Sequence, residues 1–183
     1  MTEIRIHFEG NEALRPGFHQ FLSRIRDAAQ VRQIGFRLIA AGGTPDADFQ
    51  TARRAHPKWW NILLLDRDAL KPKRKKSVFW MVQVMEAWFL ADPEALALYY
   101  GQDFARNALK KNPHVEEIAK ADVLKCLKQA TRKTQKGAYH KTAHAPSILE
   151  LLDPDKVRGA VPECERLFRE ILAEIENNPA QGL

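Results

Sequence analysis

The chain has 183 residues, of which 45% are hydrophobic and 28% are charged. This composition is typical of a globular protein with its own hydrophobic core, and it excludes a disordered or fibrous chain. Lys and Arg number 29 against 23 Asp and Glu, so the formal net charge is +6, a sign that favours a polyanionic partner.

Targeting signals and cysteine chemistry give little indication of a special compartment. The sequence has no run of about 18 apolar residues, and the opening MTEIRIHFEG is too polar for a signal peptide. We therefore expect a cytoplasmic protein with no membrane partner. Cys126 and Cys164 have no CxxC spacing, which predicts buried thiols rather than a disulfide or a zinc site. The oligomeric state stays open.

Two strand and helix units open the chain. Polar and apolar residues alternate over 3–8, which predicts a strand that ends at Glu9. Apolar residues at helical spacing then predict a helix from about 15 to 29. A second strand over 35–41 is followed by a helix over 45–55.

The middle of the chain predicts two further strands. The sequence WWNILLL is apolar without alternation, as expected of a central strand covered on both faces, and it ends at Asp66-Arg67-Asp68. Residues 77–84 predict a fourth strand, followed by a helix over 85–90. Strands that alternate with helices in this way predict a mainly parallel, Rossmann-like sheet.

The last third of the chain predicts helices. We expect them over 93–100, 120–132 and 162–176, and the last has apolar residues at i, i+3 and i+4 along one face. The sequence shows neither an internal repeat nor a linker. It therefore predicts a single α/β domain over 1–183, with a core of about four strands in 1–100 and a helical extension in 101–183.

Positive charge is concentrated in two places. Between positions 110 and 141 there are nine Lys and Arg residues and three acidic ones, a difference equal to the whole net charge. A second run follows the third strand and contains Lys73, Arg74 and Lys75. Such runs suit a phosphate backbone, and a solvated, solubilising loop is the alternative.

Carboxylates follow the first and third predicted strands. Ligands of parallel sheets gather at the carboxyl ends of the strands, where Glu9, Asp66 and Asp68 would meet if the two strands are neighbours. Carboxylate oxygens suit Mg²⁺ (or Mn²⁺), and Glu9 is also a candidate general base in phosphodiester cleavage. A DxD sequence that is solvated or caps a helix is the alternative.

A basic segment near position 135 could bind nucleic acid. Its residues Arg132, Lys133 and Lys136 could hold phosphates while a base stacks on Tyr139. Lys141 is a candidate catalytic residue that would stabilise charge in the transition state. A flexible solvated loop is again the alternative.

The stretch from Val82 onward contains MVQVMEAWFLADPEALALYYGQ, NPHVEEIAKADV and ATRKTQKGAYHKTAH. It resembles DUF4276, a bacterial family of unknown function within the Toprim-like group. Toprim domains occur in primases, topoisomerases and nucleases of the overcoming-lysogenization-defect type. The resemblance implies a Toprim-like fold, a glutamate after the first strand and a DxD after the third, positions that Glu9, Asp66 and Asp68 fit.

The same resemblance implies further acidic residues in the site. Glu86 is the candidate fourth metal ligand and Asp92 a weaker one, although each could instead stabilise the start of a helix. Toprim-like relatives often have a longer Gly-rich turn after the first strand than the compact Glu9-Gly10-Asn11-Glu12 here. This difference leaves an inactive, binding-only site open.

Three functions are therefore compared. The first is a metal-dependent nuclease acting on DNA or RNA, which by resemblance could serve antiphage defence beside an ATPase partner. The second is a noncatalytic subunit that binds nucleic acid or a protein partner through a degenerate site. The third is a receiver-like phosphoacceptor domain, which would need a fifth strand that the sequence does not clearly show.

Overall fold

A computed structural model describes the chain over residues 1–42, 45–67 and 76–178. Within them four strands form one sheet in the order β2-β1-β3-β4, and every neighbouring pair is parallel. The strands are β1 (Glu3–Glu9), β2 (Gly35–Ala41), β3 (Trp60–Arg67) and β4 (Val78–Val82). The predicted α/β class and the mainly parallel, Rossmann-like sheet are confirmed.

The strand order brings the first and third strands side by side. Phe8 of β1 is in register with Leu64 of β3, so Glu9 and Asp66 lie at the same edge of the sheet. On the other side of β3, Asp66 is in register with Met81 of β4. The first and third strands are therefore neighbours, as the predicted meeting of Glu9 and Asp66 requires.

Nine α-helices occur in the described ranges, together with three short 3-10 turns at Glu12–Leu14, Arg106–Ala108 and Val115–Glu117. None of these helices is both long and apolar enough to span a bilayer. The α-helices are α1 (Arg15–Phe21), α2 (Ser23–Val31), α3 (Pro45–Ala55), α4 (Ala87–Ala91), α5 (Pro93–Tyr100), α6 (Lys120–Thr131), α7 (Lys141–Leu151), α8 (Pro154–Ala160) and α9 (Pro162–Asn177).

The two faces of the sheet are covered unequally. The larger core lies on the face that includes Ile6, Phe8 and Leu64, and most of the helices contribute to it. The opposite face has a small core in which Phe49 of α3 packs with Leu63 and residues of β4. Because β3 is buried from both sides, it has the unalternating apolar sequence that predicted a central strand.

Two helical predictions needed correction. The helix predicted over 15–29 is interrupted at Leu22, whose ψ of 15° leaves the α region while Ile25 N–H bonds to its carbonyl oxygen in a tighter turn. Helices α7 and α8 were not predicted. Pro146 inside α7 removes one backbone donor, so the sequence of this helix reads as irregular.

A buried arginine anchors the last helix to the edge of the sheet. Arg166 of α9 donates one hydrogen bond to the carbonyl oxygen of Val78 in β4 (2.7 Å) and others to Glu163. Its guanidinium also lies over the ring of Phe79. Since β4 is an edge strand, this hydrogen bond satisfies one backbone carbonyl group of an edge that could otherwise pair with another chain.

The position of α7 depends on a glycine in α1. A Cβ atom built on Gly17 would lie 2.9 Å from both Leu149 Cβ and the carbonyl oxygen of Pro146. No larger residue fits unless one helix moves, so Gly17 lets α1 and α7 approach closely. This contact matters for the candidate site because α1 follows β1 and α7 begins at Lys141.

Gly17→Ala is therefore expected to lower the free energy of unfolding by about 1–3 kcal/mol, because the methyl group overpacks the contact between α1 and α7. The matched control is Gly159→Ala in α8, where a Cβ atom meets no atom within 4 Å. That substitution should leave the free energy of unfolding unchanged or raise it by up to about 1 kcal/mol, since alanine favours the helical conformation more than glycine does. Urea unfolding of both variants measures the difference, and equal stabilities would contradict the close approach.

Candidate active site

Two carboxylates meet at the carboxyl ends of β1 and β3. Glu9 Oε2 accepts a hydrogen bond from the backbone N–H of Asp66 (3.0 Å), which fixes the Glu9 side chain against the neighbouring strand. Asp66 Oδ1 in turn accepts from the backbone N–H of Met85 (2.9 Å). The predicted proximity of Glu9 and Asp66 is present, and the turn that precedes α4 takes part in it.

Glu86 is the most deeply buried acid of this edge, with no exposed surface. Its Oε1 atom accepts a hydrogen bond from the hydroxyl of Tyr139 (2.9 Å), whereas Oε2 has no hydrogen-bond partner in the part of the chain that the structure describes. Glu86 is the residue before α4, yet its side chain makes no capping hydrogen bond. Helix capping therefore does not explain this buried carboxylate.

Lys141 brings a positive charge to the same place. Its Nζ atom lies 3.6 Å from Asp66 Oδ2 and 3.5 Å from Glu86 Oε1. The side chain is 52% exposed, so it reaches the buried acids from the surface. We refer to Glu9, Asp66, Glu86, Tyr139 and Lys141 together as the edge cluster.

Two unusual backbone positions shape the loops around the cluster. Gly10 has a φ of +142°, and a Cβ atom there would lie 2.5 Å from Leu14 Cδ1, so only glycine allows the compact turn after Glu9. Gln83 has a φ of +63°, and its N–H donates to the carbonyl oxygen of Arg67. A positive φ at a residue other than glycine costs free energy. The turn that Gln83 forms after β4 leads the chain to Glu86, three residues later.

Burial controls the ionisation of Asp66. Removal from water raises its pKa from 3.8 to about 6, and the negative charges of Glu86 and Glu9 act in the same direction. Lys141 and the N–H of Met85 oppose this rise. The pKa of Tyr139 is also raised, by burial and then by the charge of Glu86, so its hydroxyl stays a hydrogen-bond donor.

Tyr139 has a different position from the one expected for a base-stacking residue. It is only 3% exposed, so its ring offers no free face to a base, and its hydroxyl holds Glu86. The interpretation of Tyr139 as a nucleic-acid contact is corrected on this ground. Nothing in its local sequence indicated this role, because Tyr139 and Glu86 lie 53 positions apart.

The predicted basic loop is a hydrogen-bonded turn with an exposed basic rim. Thr131 Oγ1 accepts from the N–H of Tyr139 (2.7 Å), and Thr134 is hydrogen-bonded to the carbonyl oxygen of Thr131. Both threonines are buried, which argues against a flexible loop. The remaining nucleic-acid candidates of this segment are exposed side chains, namely Arg132, Lys133 and Lys136.

Asp92 does not belong to the edge cluster. It caps α5 through the N–H of Ala95, accepts from the N–H of Asp153 (2.9 Å) and pairs with Lys156 (2.7 Å). These contacts attach α5 to α8, so the capping alternative is confirmed for this residue. Asp68, Lys73, Arg74 and Lys75 lie outside the described residues.

The donor atoms of the cluster suit a hard cation. Glu9, Asp66 and Glu86 offer carboxylate oxygens, the ligand type preferred by Mg²⁺ and Mn²⁺, and Glu86 Oε2 is a buried acceptor without a hydrogen bond. In the ranges that the structure describes, no three Asp, Glu, His or Cys side chains are already arranged around one ion position. The residue types fit a divalent cation, and Lys141 is the cation now in contact with two of them.

The fold and this edge define a parallel α/β protein with a carboxylate, tyrosine and lysine cluster at the ends of its central strands. The chain belongs to the family described as a domain of unknown function (DUF4276), whose model matches residues 73–172, more than half of the chain. The matched region includes Glu86, Tyr139 and Lys141 and begins after Asp66. A search of curated proteins and a search of solved structures found no significant match.

The raised pKa of Asp66 predicts a pH-dependent cost to folding. The unfolded carboxyl group ionises near pH 3.8 whereas the folded one ionises near 6, so this group lowers the free energy of unfolding as pH rises through that window. The loss should reach about 3 kcal/mol at most. Asp66→Asn removes the titration and keeps an acceptor for Met85.

We therefore expect the Asp66→Asn variant to gain stability relative to the parent protein between about pH 4 and pH 6, with a constant difference above pH 7. Urea unfolding at unit pH intervals, in buffer with EDTA, measures both curves. Parallel curves across this range would show that Asp66 ionises at its ordinary pKa in the folded protein.

Proposed function

We propose that the chain is a Toprim-like, Mg²⁺- or Mn²⁺-dependent nuclease that cleaves phosphodiester bonds in DNA or RNA. The observation that carries this proposal is the buried carboxylate of Glu86, held by Tyr139 beside Asp66 and Lys141 at the carboxyl edge of a parallel sheet. A buried carboxylate with one oxygen that accepts no hydrogen bond is costly, so its presence indicates a functional demand for negative charge.

Asp66 and Glu86 would hold the divalent cation, with Asp68 and Glu9 as further acidic residues of the same edge. When bound there, the cation supplies charge neutralisation for the scissile phosphate and polarises a water molecule. Tyr139 keeps Glu86 Oε1 in place, which leaves Oε2 available. The backbone N–H of Asp66 fixes Glu9, the candidate acceptor of the proton from the attacking water.

Lys141 contributes a positive charge that can move toward substrate. Its ammonium is half exposed and close to the carboxylates, so it can approach a phosphate oxygen and stabilise the charge that develops there. The exposed side chains of Arg132, Lys133 and Lys136 precede it in the chain and would hold the flanking backbone phosphates.

The cellular setting of this proposal rests on the resemblance to Toprim nucleases. A cytoplasmic role in antiphage defence beside an ATPase partner is part of the proposal, with nucleic acid as the substrate. The alternative is a noncatalytic subunit that binds nucleic acid or a partner. It is favoured by one contact, the Lys141 ammonium that now lies between Asp66 and Glu86.

Cleavage tests the metal assignment. Single-stranded and duplex DNA and RNA oligonucleotides are incubated with Mg²⁺ or Mn²⁺, and product is quantified by gel. Asp66→Asn is expected to lower the cleavage rate by more than about 100-fold, because it removes a direct ligand. Glu150→Gln, an exposed acid at the other end of α7, is the control and should cleave like the parent protein.

Cleavage that persists in the Asp66→Asn variant would overturn the metal site. Absence of cleavage in the parent protein, together with salt-sensitive binding of the same oligonucleotides, would favour the noncatalytic alternative.

Nucleic-acid binding has its own test. Lys133→Ala/Lys136→Ala is expected to weaken oligonucleotide binding and to reduce the slope of log K against log salt by about 1.4–1.8, since each lost phosphate contact removes about 0.7–0.9. Arg53→Ala/Arg54→Ala is the matched control with the same change in net charge. These arginines are exposed in the last turn of α3, shortly before β3 begins. They therefore lie toward the amino ends of the strands, away from the edge cluster.

Fluorescence anisotropy in EDTA at several salt concentrations gives both slopes. Equal slopes for the two double variants would mean that the basic rim of the turn before α7 does not contact phosphates.

A further inference from the structure

Lys141 has an unfavourable location for an ordinary surface lysine. It is the first residue of α7, where the helix dipole presents partial positive charge and disfavours a cation. The structural role of a helix-start residue therefore does not account for it. Its electrostatic partners are the two carboxylates, Asp66 and Glu86.

The geometry of these ion pairs is that of a loosely held cation. Both distances, 3.6 and 3.5 Å, exceed the roughly 2.7–3.2 Å of an N–H···O hydrogen bond. Lys156 provides the contrast, because its Nζ atom lies 2.7 Å from Asp92 Oδ1 in a direct hydrogen bond. The two lysines are similarly exposed, at 52% and 42%, yet only Lys156 is tightly bound.

Asp66 and Glu86 need a positively charged neighbour even in the metal-free protein. Asp66 experiences the negative charges of both Glu86 and Glu9, and Glu86 is fully buried. Without a counter-cation these carboxylates would repel one another and destabilise the fold. The Lys141 ammonium is the group in contact with both Asp66 and Glu86, and its exposed stem leaves it room to withdraw.

We propose that Lys141 is a displaceable counter-cation: its ammonium holds Asp66 and Glu86 together in the metal-free protein and competes with the divalent cation for them. This inference rests on the proposed function, since it assumes that the edge cluster takes a divalent cation. It adds that metal entry releases the ammonium, which is then free to pair with a phosphate oxygen. The lysine thus couples metal binding to substrate binding, and such coupling is reciprocal.

The competition is tested by the affinity for metal alone. Lys141→Met keeps the length of the side chain and removes the charge, so Mg²⁺ should bind about 3- to 10-fold more tightly, as expected when a partly exposed ion pair no longer competes. Lys156→Met is the matched control, because it also breaks a lysine to aspartate pair but lies outside the edge cluster. Its Mg²⁺ affinity should equal that of the parent protein in calorimetric titrations.

Metal-free stability supplies a second readout. In EDTA at pH 8, Lys141→Met should lower the thermal midpoint, and the loss should be less than half as large when Asp66→Asn is also present, because the acid repulsion is then reduced. Equal losses in the two backgrounds would overturn the counter-cation role even if metal binds.

The outcomes separate the two proposals. Unchanged or weaker Mg²⁺ binding by the Lys141→Met variant, with binding by the parent protein intact, would overturn the competition alone. Failure of both proteins to bind Mg²⁺ or Mn²⁺ would overturn the metal site and the competition together. Binding of Mg²⁺ or Mn²⁺ by the Lys141→Met variant but not by the parent protein would support the competition, because Lys141 would then block the site.

Discussion

The carboxylate of Glu86 is the constraint on which the carboxyl edge of the sheet depends. A buried acid must be hydrogen-bonded or paired, and here the hydroxyl of Tyr139 and the ammonium of Lys141 meet one of its oxygens. Tyr139 is held by Thr131 at the end of α6, and Lys141 starts α7. These contacts position the turn after α6 and the start of α7 beside Glu86.

Two buried acids in neighbouring helices show how similar sequence positions take different roles. Asp92 precedes α5 and is satisfied by two backbone N–H groups and by Lys156, so its charge serves to attach α5 to α8. Glu86 precedes α4 but caps nothing and keeps an unpaired oxygen. Glu86 therefore differs from Asp92 in the completeness of its hydrogen bonding, while both side chains are buried.

The charge balance of the edge cluster links its chemistry to stability. Burial is the main cause of the raised Asp66 pKa, and the excess of negative charge left by three acids and one lysine at this edge adds to it. Because the folded pKa is raised, this cluster lowers the free energy of unfolding as the pH rises toward neutrality. The close approach of α1 and α7 at Gly17 places the start of α7, and with it Lys141, next to these acids.

Local patterns in the sequence determined the strands, the parallel α/β class and the amphipathic face of α9, because each depends on the spacing of apolar residues within a few turns. They also placed Glu9 and Asp66 at strand ends. Family resemblance, rather than spacing, suggested Glu86 as a further candidate metal ligand. The break at Leu22 and the helix containing Pro146 escaped prediction because their cause lies in packing and not in propensity.

The sequence by itself thus determined which acids stand at the ends of the strands, since strand ends are marked by local turns and periodicity. Only the tertiary structure decided that Tyr139 holds Glu86 and that Lys141 pairs with both Glu86 and Asp66. These partners are separated by more than 50 positions, and they meet because α7 packs on α1 and α6 packs on α4. A hydrogen bond between such distant residues leaves no local pattern, so its partners are fixed by the fold.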